Sequence, residues 1–523
     1  MTVHVLMVQG TMSSAGKSLM VAALCRIFRQ DGFRVAPFKA QNMALNSFVT
    51  RDGLEIGRAQ AMQAAAAGVD VTVEMNPVLI KPEADAFAQI VVMGKPWTRL
   101  PAGEYMRRRA ELWLIVTRAL DALRAEHEIV VIEGAGSPAE LNLRPGDLVN
   151  MAIAAYADAP VLLVGDIDRG GIFAQLIGTH ALLEADERAR IKGFIVNKFR
   201  GEPRLFDEGV AILEERSGVP VLGVVPFVRD LRIADEDSVV LDENHDGGPL
   251  RGTEDAADAE SASSHRSLDI VVLRVPHMSN FDDFDPLRAE ADVTVRFVDH
   301  VERIGQPDMI ILPGTKTTMA DLEFLRVRGL AECVVELARR GTPVLGICGG
   351  FQMLGTRICD PQRVESETAQ AAGLGLLPSV TTFTAEKQTV RAQGTIAANR
   401  GLFAHMLGLD VDGYEIHMGR TEEEDGENGR FGLLHVTSRG GQAVDALDGM
   451  IDPTGWIAGT YFHGFFDNDG VRHALLTNLA ARKNSVRAGG ARFDREADYD
   501  RLAQVVRMSL KLDQVYRLMG ISR

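Results

Sequence analysis

The sequence predicts an α/β protein made of two doubly wound domains, each built on a parallel sheet. Three observations support this prediction. Short apolar runs alternate with longer amphipathic stretches along most of the chain, as strands and helices do in such folds. The 523 residues are too many for one ordinary core. Residues 235–267 are acidic and contain serine and glycine without apolar periodicity, which predicts a linker.

Composition excludes several classes of function. The formal net charge is −16, and no basic stripe is present that would neutralise the phosphates of a nucleic acid. No apolar run reaches the length of a membrane span, and the N-terminus lacks a secretory signal pattern. The four cysteines lack metal-ligand spacing and fit a reducing compartment. We therefore expect a cytoplasmic protein that binds neither nucleic acid nor membrane, and whose assembly into a homo-oligomer stays open.

The first predicted strand, residues 3–8, leads directly into a glycine-rich loop and a helix. The loop ends in Gly16-Lys17-Ser18, which is typical of a P-loop, although five residues separate Gly10 from Gly16 where the usual pattern has four. Backbone N–H groups and the helix N-terminus hold phosphate oxygens in such loops. The sequence therefore predicts an ATP site, with Lys17 at the β- and γ-phosphates and Ser18 at Mg²⁺.

Further polar residues end other strands of this predicted P-loop NTPase-like sheet. Lys39 ends strand 34–38, and we interpret it as a second phosphate contact, with a solvated lysine as the alternative. Asn197 ends a later strand and is assigned to the edge of the nucleobase. Glu133 follows an apolar run and precedes glycine, which favours coordination of Mg²⁺ over structural capping. The predicted ATP-binding residues are Gly10, Thr11, Ser14, Gly16, Lys17, Ser18, Lys39 and Asn197, and the predicted metal ligands are Ser18 and Glu133.

Residues 343–354 carry a second chemical signal. An apolar strand is followed by Gly346-x-Cys348-x-Gly350, which is the nucleophile-elbow pattern with sulfur in place of oxygen. The N-terminus of the next helix favours a thiolate. A buried structural cysteine is the alternative, but the flanking glycines and a later Tyr461-Phe462-His463-Gly464 favour a catalytic Cys–His pair.

His463 is the preferred general base for Cys348. Of the 12 histidines, it alone ends an apolar strand beside a glycine turn. His417 is the alternative base, although a structural role is the expected one for it. Gly314 follows the strand 308–312, and its backbone is expected to form an oxyanion hole with that of Gly349 unless it belongs to a plain turn.

The two predicted sites complement each other chemically. Attack of Cys348 on the side-chain amide of glutamine gives a thioester and ammonia. ATP held at Lys17 can phosphorylate a carboxylate, so that phosphate leaves in place of hydroxide. Ammonia held inside the protein stays concentrated and unprotonated. The sequence therefore predicts an enzyme that couples glutamine hydrolysis to ATP-dependent amide formation.

An ordered set of motifs gives the chain a resemblance to the cobyric acid synthase family over essentially its full length. The motifs are residues 10–18, 38–42, 133–140, 166–171, 197–201 and 414–421. The N-terminal half also resembles dethiobiotin synthetase. The C-terminal half resembles class I glutamine amidotransferase domains, which implies a flavodoxin-like sheet.

The resemblance implies ATP-dependent amidation of the b, d, e and g side-chain carboxylates of adenosylcobyrinic acid a,c-diamide, a corrinoid of cobalamin biosynthesis, with glutamine as nitrogen donor and Mg²⁺ beside ATP. The alternative is the sister enzyme that amidates the a and c carboxylates, because it shares both halves. A partition ATPase that acts as a switch on DNA or membrane would leave the glutaminase half unexplained.

One position departs from the class I pattern. Many class I amidotransferases have a glutamate two residues after the histidine, whereas this chain has Phe465 there and its next acid is Asp467. The third member of the Cys–His site therefore stays open. An unoriented imidazole predicts weak glutaminase activity until the synthetase half is loaded.

The predicted domain boundaries follow from these patterns. Residues 1–234 are assigned to a P-loop ATP-binding synthetase domain and residues 235–267 to an acidic linker. Residues 268–480 are assigned to a glutamine amidotransferase domain. Residues 481–523 form a C-terminal helical extension that is expected to pack on the outside.

Overall fold

A computed structural model describes most of the chain. The described residues are 3–83, 87–101, 104, 108–144, 146–228, 231, 233, 268–424, 432–487, 489–490 and 492–522. The predicted linker, residues 235–267, lies outside them. Among the described residues, no helix combines the length and apolar character that a membrane crossing requires.

Strands and helices are numbered along the chain. The strands are β1 (His4–Gly10), β2 (Val35–Phe38), β3 (Gln41–Met43), β4 (Ser47–Val49), β5 (Glu55–Gly57), β6 (Val78–Pro82), β7 (Phe87–Val92), β8 (Lys95–Pro101), β9 (Ile129–Glu133), β10 (Val161–Asp166), β11 (Ile191–Phe199), β12 (Val221–Pro226), β13 (Leu268–Leu273), β14 (Val293–Val298), β15 (Met309–Leu312), β16 (Val344–Ile347), β17 (Arg357–Cys359), β18 (Gln370–Ala372), β19 (Ser379–Ile396), β20 (Asp410–Glu423), β21 (Leu434–Arg439), β22 (Gln442–Asp448), β23 (Met450–Ile451) and β24 (Ile457–Thr460). The α-helices are α1 (Lys17–Gln30), α2 (Arg58–Ala67), α3 (Arg109–Glu126), α4 (Met151–Tyr156), α5 (Ile172–Leu182), α6 (Ala185–Arg188), α7 (Asp207–Ser217), α8 (Asp285–Arg288), α9 (Thr318–Val327), α10 (Leu330–Arg339), α11 (Gly349–Leu354), α12 (Asp469–Arg482), α13 (Arg495–Ser509) and α14 (Leu512–Leu518). Short 3₁₀ helices span Val73–Met75, Pro203–Phe206, Phe281–Phe284, Val301–Arg303, Gly401–Phe403 and Phe465–Asp467.

The chain divides into two compact units that exchange segments. Unit 1 consists of Met1–Ala44, Glu55–Asp237 and Asp494–Arg523. Unit 2 consists of Leu45–Leu54 and Ser238–Phe493. Ten residues from the sequence of the first half therefore belong to the second unit, and the last thirty belong to the first.

Unit 1 is built around a six-stranded parallel sheet with strand order β12-β11-β10-β1-β9-β2. Its strands are near-continuous runs of valine, isoleucine and leucine with almost no exposed surface, as expected when helices cover both faces. The carboxyl ends of parallel strands meet at one edge of a sheet. Gly10, Glu133, Asp166 and Asn197 therefore reach the same edge. A smaller sheet with order β3-β6-β7-β8 belongs to the same unit.

The C-terminal helices α13 and α14 complete the core of unit 1. Tyr499, Leu502 and Val506 are buried in the same apolar cluster as Ile27 and Phe28 of helix α1. The structure thus differs from the predicted extension at residues 481–523, since the division falls between residues 493 and 494. The spacing of apolar residues in the C-terminal segment correctly predicted that it is helical. It does not indicate which unit these helices pack against.

Unit 2 contains a six-stranded sheet with order β14-β13-β15-β16-β24-β23, parallel except for the edge pair of β23 and β24. A second, mostly antiparallel sheet has the order β18-β17-β19-β21-β22, with β20 paired to β19. The prediction of two parallel-sheet α/β domains is confirmed. The antiparallel sheet is an addition that the strand-and-helix alternation did not predict.

Candidate active site

Cys348 occupies a strained turn between strand β16 and helix α11. Its φ of 52° and ψ of −109° lie in a region that non-glycine residues rarely adopt. The flanking glycines allow this turn to close. A Cβ on Gly346 would lie 2.6 Å from the carbonyl oxygen of Gly350, and a Cβ on Gly350 would lie 2.0 Å from that of Leu312. The turn therefore has the shape of a nucleophile elbow.

His463 follows strand β24 and is hydrogen-bonded to a carboxylate. Its Nδ1 lies 2.7 Å from Oδ2 of Asp283, and the backbone N–H of Gly464 donates to Oδ1 of the same carboxylate at 2.8 Å. The two side chains are 1% and 2% exposed. The imidazole also forms a hydrogen bond with Cys348. Because Asp283 occupies Nδ1, the nitrogen that remains for the thiol is Nε2.

Electrostatics favour a protonated imidazole at this site. Burial by itself lowers the pKa of His463, but the charges of Asp283 and Cys348 outweigh it and raise the pKa to about 10. Burial raises the pKa of the Asp283 carboxyl, although His463 opposes that shift. The protonated imidazole of His463 therefore places a positive charge beside Cys348.

The third member of the site is thus Asp283, and the expectation of an unoriented imidazole is wrong. Asp467 instead lies in a short 3₁₀ helix, where its backbone N–H donates to the carbonyl of Gly464 at 3.0 Å. Phe465, at the position of the class I glutamate, is fully buried among apolar residues. Asp283 precedes His463 by 180 residues in another 3₁₀ helix, and no pattern in the sequence marks it.

His417, the alternative base, is held differently. Its Nδ1 lies 3.0 Å from the carbonyl oxygen of Gly419, and its ring stacks on that of Tyr461 with centroids 3.8 Å apart. Burial lowers the pKa of His417 to about 4, so the ring is neutral at physiological pH. The neighbouring carbonyl of Ile416 accepts a hydrogen bond from the Cys348 thiol at 3.4 Å. This geometry supports His463 as the base.

The predicted oxyanion glycines lie beside the thiol and the imidazole. A Cβ on Gly314 would lie 2.8 Å from Cε1 of His463. A Cβ on Gly349 would lie 2.6 Å from Cγ2 of Thr315. Both positions thus require the close backbone approach that only glycine allows. Their role in an oxyanion hole stays a prediction.

A buried amide that the sequence analysis missed lies one helical turn after the nucleophile. The Nε2 of Gln352 donates to Tyr461 at 3.2 Å, and its Oε1 accepts from the Thr318 hydroxyl at 2.9 Å. This network joins helix α11 to helix α9 and to the segment that leads to the base. Its position on the elbow helix was the only signal that could have identified it.

The polar centre of unit 1 is Glu133, whose side chain is fully buried at the end of strand β9. One carboxylate oxygen accepts from the hydroxyl of Ser18 at 2.9 Å and from Nζ of Lys39 at 2.8 Å. The other oxygen accepts from the amide of Gln63 on helix α2. The structure therefore brings together three predicted residues and adds Gln63, which the sequence patterns did not single out.

The P-loop itself is held by contacts to its backbone. Nζ of Lys17 donates to the carbonyl of Met12 at 3.0 Å and lies 3.4 Å from that of Gly136. Gly16 has a φ of 96°, and a Cβ there would lie 2.2 Å from the amide nitrogen of Asn197. That amide donates to the carbonyl of Ala15 at 2.9 Å. Asn197 thus supports the loop, and its assignment to the nucleobase stays a prediction.

The remaining predicted residues of the ATP site border the same loop. The hydroxyl of Thr11 donates to Gln175 at 3.1 Å. The carbonyl of Ser14 accepts from Nζ of Lys198 at 2.7 Å, and Lys198 also pairs with Asp166 at 2.8 Å. Lys198 was missed, although its position next to Asn197 in a strand-end motif was a usable signal.

The oxygens of Ser18 and Glu133 fit the Mg²⁺ that a P-loop implies. Hydroxyl and carboxylate oxygens are the donors that Mg²⁺ prefers, and it usually takes its other ligands from phosphate and water. Within the described residues, no group of three or more His, Cys, Asp and Glu side chains could hold a metal by itself. An ion here would therefore depend on a bound nucleotide.

Two family models match the two halves of the chain. Residues 6–240 match the CobQ/CobB/MinD/ParA nucleotide binding domain, and residues 269–471 match the CobB/CobQ-like glutamine amidotransferase domain. Among solved structures, PurLQS from Thermotoga maritima covers 41% of this chain and 99% of its own, at 17% identity and a TM-score of 0.31.

Two curated relatives match over essentially the whole chain. A cobyric acid synthase from Sorangium cellulosum is 51% identical over 100% of both chains. Another from Dehalococcoides mccartyi is 48% identical over 98% of both chains. These matches confirm the resemblance drawn from the motifs. The chain therefore belongs to the cobyric acid synthase family of glutamine-dependent amidotransferases.

Proposed function

We propose that the protein amidates the b, d, e and g side-chain carboxylates of adenosylcobyrinic acid a,c-diamide, with glutamine as nitrogen donor and ATP as energy source, to give cobyric acid. The observation that carries this proposal is the pairing of Cys348, His463 and Asp283 in a chain with a complete P-loop. Full-length similarity to cobyric acid synthases supports the choice of corrinoid.

In unit 2, the Cys348 thiolate attacks the side-chain amide carbon of glutamine. The C–N bond breaks, and ammonia leaves with the proton that His463 donates. Water then attacks the resulting thioester while His463 accepts a proton from that water. The C–S bond breaks, glutamate leaves, and the thiolate and the protonated imidazole are restored. Asp283 holds the imidazole in one orientation throughout, while the backbone N–H groups near Gly314 and Gly349 stabilise the negative oxygen.

In unit 1, the P-loop and Lys17 bind the phosphates of ATP. A corrinoid carboxylate oxygen attacks the γ-phosphorus, ADP leaves, and an acyl phosphate forms. Ammonia then attacks the acyl carbon, and inorganic phosphate leaves, which completes the amide. Ser18 and Glu133 would hold Mg²⁺, directly or through water, and the ion would neutralise phosphate charge. Lys39 forms an ion pair with Glu133 at 2.8 Å and thereby fixes the position of that carboxylate.

The same proposal covers location and domain roles. We assign the synthetase activity to unit 1 and the glutaminase activity to unit 2. All four cysteines are free, which supports a reducing, cytoplasmic setting. We expect neither nucleic acid nor membrane as a partner, in keeping with the net charge of −16.

A Cys348→Ala variant tests the proposal. Amidation with glutamine should fall below detection, because the nucleophile is gone, while amidation with ammonium and ATP should continue. Mass spectrometry of the corrinoid product should show four added amides. Two amides on a substrate with free a and c carboxylates would instead identify the sister reaction. Retention of glutamine hydrolysis by Cys348→Ala would contradict the assigned nucleophile.

A further inference from the structure

Residues 45–54 form an arm that belongs to unit 2, although they precede β5 of unit 1 in the sequence. The arm contains strand β4 and is well packed. Asn46, Ser47, Val49 and Thr50 are each at most 3% exposed. Neither the motif pattern nor the proposed chemistry gives these residues a role. Their contacts lead directly to the residues that hold the imidazole.

The first contact is a reciprocal clamp between two asparagines. The backbone N–H of Asn280 donates to Oδ1 of Asn46 at 2.7 Å. In return, the backbone N–H of Ser47 donates to Oδ1 of Asn280 at 2.9 Å. Asn280 is buried and adopts a left-handed conformation with φ 54° and ψ 45°. Such a conformation in a non-glycine residue needs support from its surroundings, and the arm supplies it.

Asn280 controls the start of the turn that carries Asp283. It is the residue immediately before the 3₁₀ helix Phe281–Phe284, and its carbonyl accepts the N–H of Asp283 at 3.0 Å. The Asp283 carboxylate in turn holds Nδ1 of His463 at 2.7 Å. A shift of Asn280 therefore moves the carboxylate that orients the catalytic imidazole.

The second contact runs through Tyr414. Its ring stacks on that of His463, with centroids 5.4 Å apart and an angle of 21° between the planes. Phe48 of the arm packs its edge against Tyr414 at 5.2 Å. The side-chain amide of Asn280 donates to the Tyr414 hydroxyl at 3.2 Å. The arm thus supports both the carboxylate and the stacking partner of the imidazole.

Strand β19 fixes the arm from its other side. Arg391 donates from Nε to the carbonyl of Val49 at 2.9 Å, and its guanidinium lies 5.2 Å from the centre of the Phe48 ring. These contacts hold the backbone and the aromatic ring of the arm together. The arm is therefore held in a defined position next to the residues that contact His463.

We propose that the arm positions the Asp283–His463 pair for glutamine hydrolysis, with Asn46 and Phe48 as its positioning residues. This inference rests on the proposed function, because it assigns a role within the glutamine-hydrolysing site. Neither residue touches the reacting atoms. Their effect should therefore fall on the turnover number more than on glutamine binding.

The test compares five full-length proteins: wild type, Asn46→Ala, Asn46→Asp, Phe48→Ala and Asn399→Ala. Asn399 is the matched control, since its Oδ1 also accepts a backbone N–H at 2.7 Å within unit 2, from His405. Each protein is assayed for glutamate release from glutamine, and for corrinoid amidation with ATP and ammonium chloride. Melting curves establish that each variant is folded.

We expect Asn46→Ala to lower kcat for glutamine hydrolysis by about 10-fold, with KM within about 2-fold of wild type and amidation from ammonium unchanged. Asn46→Asp should restore most of the rate, because a carboxylate oxygen accepts the same N–H. Asn399→Ala should behave as wild type. Phe48→Ala removes the contact with Tyr414 and should also lower kcat for glutamine hydrolysis. This variant tests the inference independently if Asn46→Ala does not fold.

Two results would overturn the inference alone. One is wild-type glutamine hydrolysis in both Asn46→Ala and Phe48→Ala. The other is an equal loss of glutamine-dependent and ammonium-dependent amidation, since that would mark a general scaffold. Absence of Cys348-dependent glutamine hydrolysis in the wild-type protein would overturn the proposed function as well.

Discussion

The two units each contain a fully buried carboxylate, but the partners of the two acids differ. Glu133 in unit 1 accepts hydrogen bonds from Nζ of Lys39 at 2.8 Å and from the hydroxyl of Ser18 at 2.9 Å. Asp283 in unit 2 meets His463, whose charge depends on its protonation, at 2.7 Å. The first acid is paired with an ammonium group beside the P-loop, whereas the second holds an imidazole that takes part in proton movement.

The comparison shows that a buried acid obtains its function from the group that compensates its charge. A third buried carboxylate, Asp448, illustrates the opposite limit. It accepts hydrogen bonds from Thr460 and Tyr461, both neutral donors, and burial raises its pKa to about 7. The effects of removing each charge should therefore decrease from Glu133 through Asp283 to Asp448.

The largest effect is expected for Glu133→Gln. Amidation should fall by about 10³-fold or more with either glutamine or ammonium, because in the proposed site this carboxylate contacts Ser18 and Lys39 and would help to hold Mg²⁺. Glutamine hydrolysis measured without ATP should change little, since its residues lie in unit 2. Glu126→Gln, at the end of helix α3, serves as a surface control. A comparable loss of basal glutamine hydrolysis would contradict the separation of the two centres.

Asp283→Asn should produce the next largest effect. The turnover of glutamine should fall by about 10²–10⁴-fold, because an amide neither fixes the imidazole nor stabilises its charge. Amidation with ammonium should be unaffected. Asp467→Asn provides the matched control, since Asp467 is the acid that the sequence placed nearest to the base. Equal losses in both variants would remove Asp283 from its assigned role.

The pH dependence of glutamine hydrolysis should sharpen the same contrast. Since the pKa of His463 is raised to about 10, the protonated pair persists through neutral pH, and activity should decline as the pH rises through about 10. The stabilisation from this proton follows the same sign: it is complete below the ordinary histidine pKa of 6.5 and is lost as the pH approaches 10.

In the Asp283→Asn variant, the carboxylate charge no longer offsets the effect of burial on the pKa of His463. The decline of glutamine hydrolysis should therefore begin at lower pH. Measurement of kcat/KM for glutamine from pH 6 to pH 10.5 provides the check. Coincident profiles for the wild type and the variant would show that Asp283 does not set the charge of His463.

Asp448→Asn should have the smallest effect, and it concerns stability only. Because the folded-state pKa is raised from 3.8 to about 7, the wild-type protein loses stability as the pH rises through that interval. The variant lacks the buried charge and should melt about 2–4 °C higher than wild type at pH 8. This difference in melting temperature between the variant and the wild type should be smaller near pH 5. Asp410→Asn, at an exposed position, should show no such pH dependence.

The sequence predicted residues that terminate strands better than residues that lie in connecting turns. Glu133, Lys39 and Asn197 follow apolar runs, and parallel strands bring their carboxyl ends to one edge, so their proximity followed from the pattern. The same logic identified Cys348 and His463, which end neighbouring strands β16 and β24.

Asp283 and Asn46 could not be predicted in this way. Asp283 lies in a short 3₁₀ helix, and Asn46 contacts a residue 234 positions away. Neither position has a periodic signal, because irregular segments are placed by tertiary packing. The class I pattern was also misleading here. It predicts an acid at the position two residues after His463, where this chain has Phe465 packed in the apolar core.

The exchange of segments between the units has a consequence for how this gene can be divided. A cut between residues 235 and 267 would leave residues 45–54 on one product and the rest of unit 2 on the other. It would also separate Asp494–Arg523 from the unit whose core they complete. The segments of the two units are therefore interleaved along the polypeptide, so no single cut of the chain gives two products that each contain one whole unit.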